Sequence, residues 1–375
     1  MAEYLTNTAD LTKVASAIRE KGGTSDPLVY PDGFVTAIQA IQTGTELQII
    51  VTVTSGATVT ATKGSLSVSG TSVNGTCTLT VPETGTWSVS ATLGGQTSDT
   101  KTVSITDSYA VELKFVSSTL NDNEWSVIKS VSDAGQSENY WSIGDRKEVT
   151  LNGTVGHLSL SNYTTYAFII GFNHNSSVEG TNRIHFQLGK TALSGGTDVA
   201  LCDSKYQSQA PATGYFSMND SGTNSGGWKS SQMRTNICGT SLSNYSGTII
   251  AVIPAALRAV LKSVTKYTDN TGRSSAASAV TATTDYFFLL SEYEVFGTIK
   301  RGNPNESSKQ AQYSYYSAGN SKVKYHHSLT SSTVLWWLRS PLTSNSASFV
   351  NVSLGGESYA DFAYYSNGFA PGFCV

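Results

Sequence analysis

The stretch that most constrains this chain is Trp336–Val375. It reads Trp336-Trp337-Leu338-Arg339-Ser340-Pro341, a polar segment, Phe349-Val350-Asn351-Val352, then Gly355-Gly356. A Tyr/Ser/Asn-rich run follows, closing on Gly368-Phe369-Ala370-Pro371-Gly372-Phe373-Cys374-Val375. Trp336, Trp337, Phe349, Val350, Val352 and Phe373 are large and apolar, suited to burial in a sheet. Polar or amphipathic residues stand between them. Tyr supplies contact area with few torsions to freeze, and Ser, Asn and Gly supply adaptable hydrogen bonding, as in binding loops on rigid scaffolds. The bland alternative is a solvated sheet edge with aromatic cross-strand pairs. Alternation along 349–354 puts Asn351 and Ser353 opposite Val350 and Val352. The expected binding face is therefore Ser348, Asn351, Ser353, Glu357, Ser358, Tyr359, Asp361, Tyr364, Tyr365 and Asn367, with Val350, Val352 and Phe373 beneath.

With 375 residues the chain has room for two or three domains. Only 14% of residues are charged, while Gly (34) and Tyr (19) are plentiful, a composition of extracellular or virion β-proteins. A net charge of −3 without any Lys/Arg cluster gives no footprint for nucleic acid. No apolar run approaches the roughly 18 residues that span a bilayer. Met1 to Asp10 lacks the pattern of a secretory signal, so a virion component made in the host cytoplasm is expected. Cys77, Cys202, Cys238 and Cys374 form no C-x-x-C pair, which argues against zinc. Cys202 and Cys238 share a domain and could pair if oxidised; a reducing cytoplasm favours free, buried thiols.

The expected fold class is mainly β with some α, in three parts. Residues 1–44 form a short helical N-terminal attachment segment. Leu11, Val14, Ala15 and Ile18 follow a helical period with Asp10 as N-cap and Gly22-Gly23 as stop, and Phe34, Ile38 and Ile41 follow a second one ending at Gly44. Two helices this short cannot bury their faces alone. Residues 45–106 read as an immunoglobulin-like β-sandwich around Trp87, with strands near 47–53, 58–61, 76–81, 86–93 and 100–105 separated by turns such as Asn74-Gly75. It is expected to be a spacer.

Residues 107–375 form the main domain. Trp125 and Trp141 are placed in a first strand region, with strands at 147–151, 166–172 and 184–188. Helical stretches are expected at Trp228 to Arg234 and at Pro254 to Leu261. Asp285–Gly297 reads as an apolar strand ending in Glu292 and Glu294, which would share a face. Paired carboxylates serve acid/base chemistry, a metal, or a structural ion pair. His326-His327 on a strand would point to opposite faces and chelate poorly. Asn303-Pro304-Asn305 reads as a turn. No nucleotide-binding or hydrolase motif is present. No catalytic residue, metal or cofactor is expected, and the chain is not read as an enzyme.

The run WWLRSP, the apolar strand, the Gly turn and the terminal Gly-Phe-Ala-Pro-Gly-Phe resemble the C-terminus of the C-type-lectin-like fold. The version they resemble most is that of phage and prophage proteins served by diversity-generating retroelements. With Tyr140-Trp141-Ser142-Ile143-Gly144-Asp145 and Ser291-Glu292-Tyr293-Glu294-Val295-Phe296-Gly297, the resemblance covers roughly residues 120–375. Ile18-Arg19-Glu20-Lys21-Gly22-Gly23 and Tyr30-Pro31-Asp32-Gly33-Phe34 resemble a segment near the ends of phage tail proteins. The resemblance implies a C-terminal C-type-lectin-like α+β ligand-binding domain whose Asn, Ser, Tyr and Asp codons are rewritten. It also implies a structural role for Trp336, Trp337 and Arg339, with Arg339 paired to Glu292 or Glu294.

The implied function is a phage tail receptor-binding protein. Its partners would be a host-surface protein or glycan, other tail proteins through the N-terminus, and copies of itself, a trimer being favoured; neither nucleic acid nor membrane is expected. A bacterial surface adhesin of the same fold and a structural tail protein without a variable face are the alternatives. Asn303-Pro304-Asn305 departs from the sugar-binding motif of calcium-dependent lectins, and the downstream Trp-Asn-Asp element is missing. Formylglycine-generating enzymes share the fold but need a close cysteine pair, and Cys374 has no neighbour in sequence.

Overall fold

The structure is a computed structural model that describes residues 8–22, 25, 27–40, 46–210 and 214–375. The chain is mainly β with some α. It divides into two compact units, Met1–Leu93 with Thr102–Leu113, and Gly94–Lys101 with Lys114–Val375. Among the described residues no helix is long and apolar enough to cross a membrane.

In the first unit, Thr8–Gly22 and Asp32–Ala40 are helical. They dock through Ala15, Ile18 and Phe34, flanked by Leu11, Leu28 and Ala37. Val14 and Ile38 were expected in this seam but are 49% and 54% exposed. The helical period explains it: once Leu11, Ala15 and Ile18 face inward, Val14 falls on the flank, and Phe34 with Ala37 displaces Ile38 in the same way. The expected stops at Gly23 and Gly44, and Ile41, lie outside the described residues.

Two sheets follow. Thr76–Thr80, Gln48–Thr52 and Tyr109–Glu112 form one; Leu66–Thr71, Thr58–Lys63 and Gly85–Leu93 form the other, with Lys101–Ile105 paired to Gly85–Leu93. Alternate residues are buried on both, Ile49 and Val51 on the first, Val59, Ala61, Val89 and Ala91 on the second, and Trp87 is fully enclosed. Asn74 (φ 52°) and Gly75 (φ 83°) are both left-handed, as a tight two-residue hairpin turn requires. Leu66–Thr71 and Tyr109–Glu112 were not anticipated, and the expected boundary at residue 106 is too early. Tyr109–Glu112 adds to Gln48–Thr52 in parallel, from Ile49 opposite Tyr109 to Thr52 opposite Glu112. Its side chains are mostly exposed, so no apolar alternation marks it in the sequence.

The second unit is built on a five-stranded sheet in the order Phe287–Phe288, Gly372–Cys374, Ile184–Lys190, Leu158–Phe172, Arg146–Val155. Every residue of Ile184–Lys190 is buried, as expected of a central strand. A separate sheet holds Trp336–Pro341, Ser348–Val352 and Ser358–Phe362. Helical turns occur at Gly227–Ser230, Met233–Cys238 and Ala255–Arg258, where they were expected. Two strand assignments are corrected. Trp125 opens the helix Trp125–Asp133, whose Trp125, Ile128 and Val131 recur at helical spacing and are buried, and Trp141 lies in the loop beyond it. The stretch 285–297 is the strand Phe287–Phe288 followed by the helix Glu292–Phe296.

The parallel strand makes a prediction. A fragment of residues 46–113 should melt at a higher temperature than one of residues 46–106, because the shorter piece leaves one edge of Gln48–Thr52 unpaired. Equal melting temperatures by circular dichroism would contradict it.

Candidate functional site

The C-terminal sheet is held from beneath by a buried ion network. Ser291 caps the helix Glu292–Phe296: its hydroxyl accepts the Glu294 amide, and the Glu294 carboxylate accepts the Ser291 amide in return. The same carboxylate receives both arms of Arg339, Nη1 to Oε2 at 2.5 Å and Nη2 to Oε1 at 2.9 Å. Arg339 is fully buried, and its remaining donors go to Thr268 Oγ1 (2.7 Å), Leu289 O (2.8 Å) and Tyr267 O (3.4 Å). All five guanidinium N–H groups are thus satisfied. Lys266 Nζ donates to Glu294 (2.9 Å), Glu179 (2.7 Å) and the Tyr313 hydroxyl (2.8 Å). Burial acts to raise the Glu294 pKa, but Arg339 and Lys266 outweigh it and hold the carboxyl far below the ordinary range.

Glu292 does not share this partner. One hundred degrees per residue turns the two carboxylates apart on a helix, whereas a strand would have aligned them. Glu292 instead accepts the backbone amides of Lys300 (3.2 Å), Arg301 (3.1 Å) and Gly302 (2.8 Å), and the Ser358 hydroxyl (2.5 Å). A Cβ on Gly302 would sit 3.1 Å from Ser340 Cβ and 3.3 Å from the Glu292 carboxylate, so the loop approaches closely there. Arg339 therefore fixes one outer strand, the buried Trp336–Pro341, and Glu292 fixes the other, the exposed edge strand Ser358–Phe362. Trp336 and Trp337 are fully buried, their indoles donating to Lys322 O and Phe216 O.

His174, Glu179 and Glu294 offer ligand atoms within 4.8 Å of one another, a metal-like grouping. The space between the two carboxylates is filled by the Lys266 ammonium, so the charge a metal would supply is already present. Burial, reinforced by Lys266, lowers the His174 pKa to about 3 and keeps its ring neutral. Cys374 Sγ lies 3.3 Å from His185 Nδ1, and both are fully buried. All four cysteines are free and buried. His326 and His327 do not point apart: the strand ends at His326 and their rings stack at 5.0 Å. Asn303 caps the 3-10 turn Pro304–Ser308, its side chain accepting from Asn305 N at 3.0 Å.

The expected binding face is only partly assembled. Asn351 pairs across from Tyr359, and Phe349 from Asp361, so these four share one side; Ser348, Val350 and Val352 share the other with Ser358 and Phe362. All of Ser348–Val352 is buried, including Ser348 and Asn351, and Asn367 is buried too. Both sides of this strand are covered. The loop around Phe216 closes one side, through Asn219 N to Ala363 O and Asn367 N to Phe216 O, and the Glu292 helix and the Lys300–Gly302 loop close the other. Ser358 is half-buried because its hydroxyl serves Glu292.

What remains at the surface runs along the edge strand and the turn after it. Tyr359 and Phe362 are 48% and 40% exposed. Asp361, Tyr364, Tyr365 and Ser353 are half-buried, and Glu357 is exposed. Phe362 and Tyr364 lie parallel with centroids 5.5 Å apart, and Tyr365 meets both edge-on at 5.8 and 5.0 Å. Arg301 sits 5.6 Å over the Tyr359 ring. Asp361 Oδ2 accepts the side-chain amides of Asn351 (2.9 Å) and Asn367 (3.0 Å). Glu357 closes its own turn with Ser353 (2.5 Å).

Lys266, Glu179, Tyr313, Phe362 and Arg301 were missed in the sequence. Lys266 had a legible signal: it shares strand parity with Val264 and Thr268, both buried. Glu179 and Tyr313 are distant in sequence and had none.

Residues 200–375 match a domain family described only as a domain of unknown function (DUF6273). No curated protein and no solved structure matches the chain. The match spans the C-terminal sheet, Arg339, Glu294 and Lys266, but omits Glu179 and three strands of the five-stranded sheet.

Two predictions test this network. Arg339→Met takes the bidentate partner from a buried carboxylate, leaving it Lys266 alone as counter-charge, and should destabilise the fold by about 3–5 kcal/mol; an unchanged denaturant midpoint would refute it. The second concerns Glu306, which is fully buried and accepts from Asp269 N (2.9 Å) and Ser340 Oγ (2.7 Å). Burial outweighs these donors and raises its pKa from 4.5 to about 7. The folded state thus holds a proton that the unfolded chain releases. The resulting stability is complete below pH 4.5 and is lost as pH rises to 7, at up to about 1.4 kcal/mol per pH unit. Glu306→Gln should reduce that slope in urea titrations across this window; an unchanged slope would assign it to other groups.

Proposed function

We propose that this chain is an adhesin that grips a host-surface ligand through the aromatic and acidic edge formed by Tyr359, Asp361, Phe362, Tyr364 and Tyr365. The observation that carries the reading is the contrast within one sheet. The strand Trp336–Pro341 with its Arg339 anchor and the central strand Ser348–Val352 are sealed, while the edge strand leaves Tyr359 and Phe362 40–48% exposed beside two further tyrosines. Exposed clustered aromatics on a rigid support cost little to order on binding and are frequent hot spots.

The sequence resemblance supplies the setting: a phage tail receptor-binding protein with a C-type-lectin-like domain and diversified surface codons. The N-terminal helices would attach it to other tail proteins, and several copies, three by preference, would turn weak contacts into firm adsorption. The reading is adhesion rather than catalysis. Cys374, His185 and Glu179, the grouping most like a nucleophile with its base, are buried beneath the sheet and beyond the reach of a substrate.

The test is combinatorial replacement of Ser353, Glu357, Tyr359, Asp361, Tyr364 and Tyr365. Adsorption should change or be lost while the melting temperature moves little, and single Tyr→Ala changes at the centre should each cost about 1–2 kcal/mol of binding or more. Replacing Ser348, Asn351 or Asn367 should instead lower stability. Global unfolding of the six-position variants, or adsorption indifferent to all of them, would return this edge to an ordinary solvated sheet margin.

A further inference from the structure

The edge strand Ser358–Phe362 leaves part of its backbone unused. Ala363 N donates to Ala347 O and Ser353 N to Glu357 O, both at 2.8 Å, and the pairs between them keep one register without a bulge. Odd-numbered residues from Glu357 to Ala363 therefore bond inward, to the strand Ser348–Val352. Ser358, Ala360 and Phe362 turn their N–H and C=O groups outward. Two of these three carbonyls are taken. Arg301 Nε donates to Ser358 O at 3.1 Å, and Tyr365 N donates to Phe362 O at 2.9 Å. Among the described residues nothing bonds the N–H and C=O of Ala360, or the N–H groups of Ser358 and Phe362.

That gap has the form of a strand-pairing template. Sheet edges are commonly blunted by Lys, Pro or a bulge, and Ser358–Phe362 contains none of the three. Ala360, the smallest side chain of the strand, is half-buried at its middle, so it puts little bulk in the way of another backbone. The side chains beside it are aromatic on both faces. Tyr359 projects on one and Phe362 on the other, and both are exposed. A strand laid along Ala360 would set its alternate side chains against a ring on each face.

We propose that this edge captures an extended segment of a host-surface protein by strand addition, with Ala360 as the central pairing residue. This rests on the adhesion reading and specifies the partner. Along one side of a polypeptide strand, N–H and C=O groups recur about every 7 Å, the spacing of Ser358, Ala360 and Phe362. The hydroxyls of a glycan have no such repeat. Main-chain bonds at Ala360 would supply affinity whatever the side chains are, while Tyr359, Asp361 and Phe362 would select the sequence that is accepted.

The experiment uses the full-length chain. Ala360→Pro removes the outward N–H without breaking a bond inside the sheet, and Ala360→Ser keeps that N–H. The proline variant should adsorb to host cells about tenfold more slowly or worse, the loss of one or two backbone hydrogen bonds. Its melting temperature should move little, and the serine variant should adsorb normally. Cells shaved with trypsin should no longer adsorb the protein, and cells oxidised with periodate should still do so. In the free protein, amide exchange should be fast at Ala360 and Phe362 and slow at Tyr359 and Asp361. Normal adsorption of a folded Ala360→Pro would overturn the proposal. So would adsorption that survives trypsin or is abolished by periodate, a result that stands even if the proline variant does not fold. Slow exchange at Ala360 would show the edge already occupied, by a second copy where the protection fades on dilution, and would overturn it too. Adsorption also separates this idea from the one beneath it. If Ala360→Pro adsorbs normally while the six-position variants do not, strand addition fails and adhesion survives. Indifference of adsorption to both sets removes the adhesion reading itself.

Discussion

The fork of Arg339 on Glu294 is the interaction on which the second unit depends. It joins the buried strand Trp336–Pro341 of the C-terminal sheet to a helix that the same carboxylate caps, and Lys266 brings the strand Val264–Asp269 into the same cluster. Removing two or more charges from water is expensive, and only near-complete hydrogen bonding recovers the cost. Here every guanidinium donor has a partner, and the ammonium has three. A slip of the sheet by one residue would leave several of these charges unpaired.

That rigidity decides what the edge can do. Glu292 clamps both the Lys300–Gly302 loop and Ser358, so the edge strand is held at its start while Tyr359 and Phe362 stay partly exposed. Side chains on such a strand change without disturbing the core, since Tyr359 and Phe362 project from it. The buried strand beside it has no such freedom. Asn351 has polarity suited to a surface but is enclosed between Trp337 and Tyr359 in the ladder, and it acts by holding Asp361.

The extent of the matched family is informative in the same way. A segment starting at residue 200 carries the C-terminal sheet and its anchor. It lacks Ile184–Lys190, against which Gly372–Cys374 pairs through His185 to Cys374 and Gln187 to Gly372. Without that central strand, Phe373, which also packs on Phe287, would lose the Phe186 ring stacked 5.2 Å from it. The compact body is therefore larger than the segment that the family describes.

The sequence by itself determined the β-rich class, the Trp87-centred sheets, most strand positions, and the apolar identity of Trp336, Trp337, Val350 and Val352. These are local: alternation, turn residues and side-chain volume act within a few positions of one another. It did not determine which side of each strand would be covered. Period-two alternation separates Asn351 from Val350 but does not reveal that the Phe216 loop closes over the Asn351 side, so Ser348, Asn351 and Asn367 looked exposed and are not. Nor did it decide whether 292–296 is helix or strand, because a short apolar run is ambiguous and Ser291 settles it only by meeting Glu294 in a cap. Glu179, Lys266 and Tyr313 converge from positions 47 to 134 residues apart. Only the tertiary structure brings them together, because the cost of burying each charge is recovered only where all of them meet.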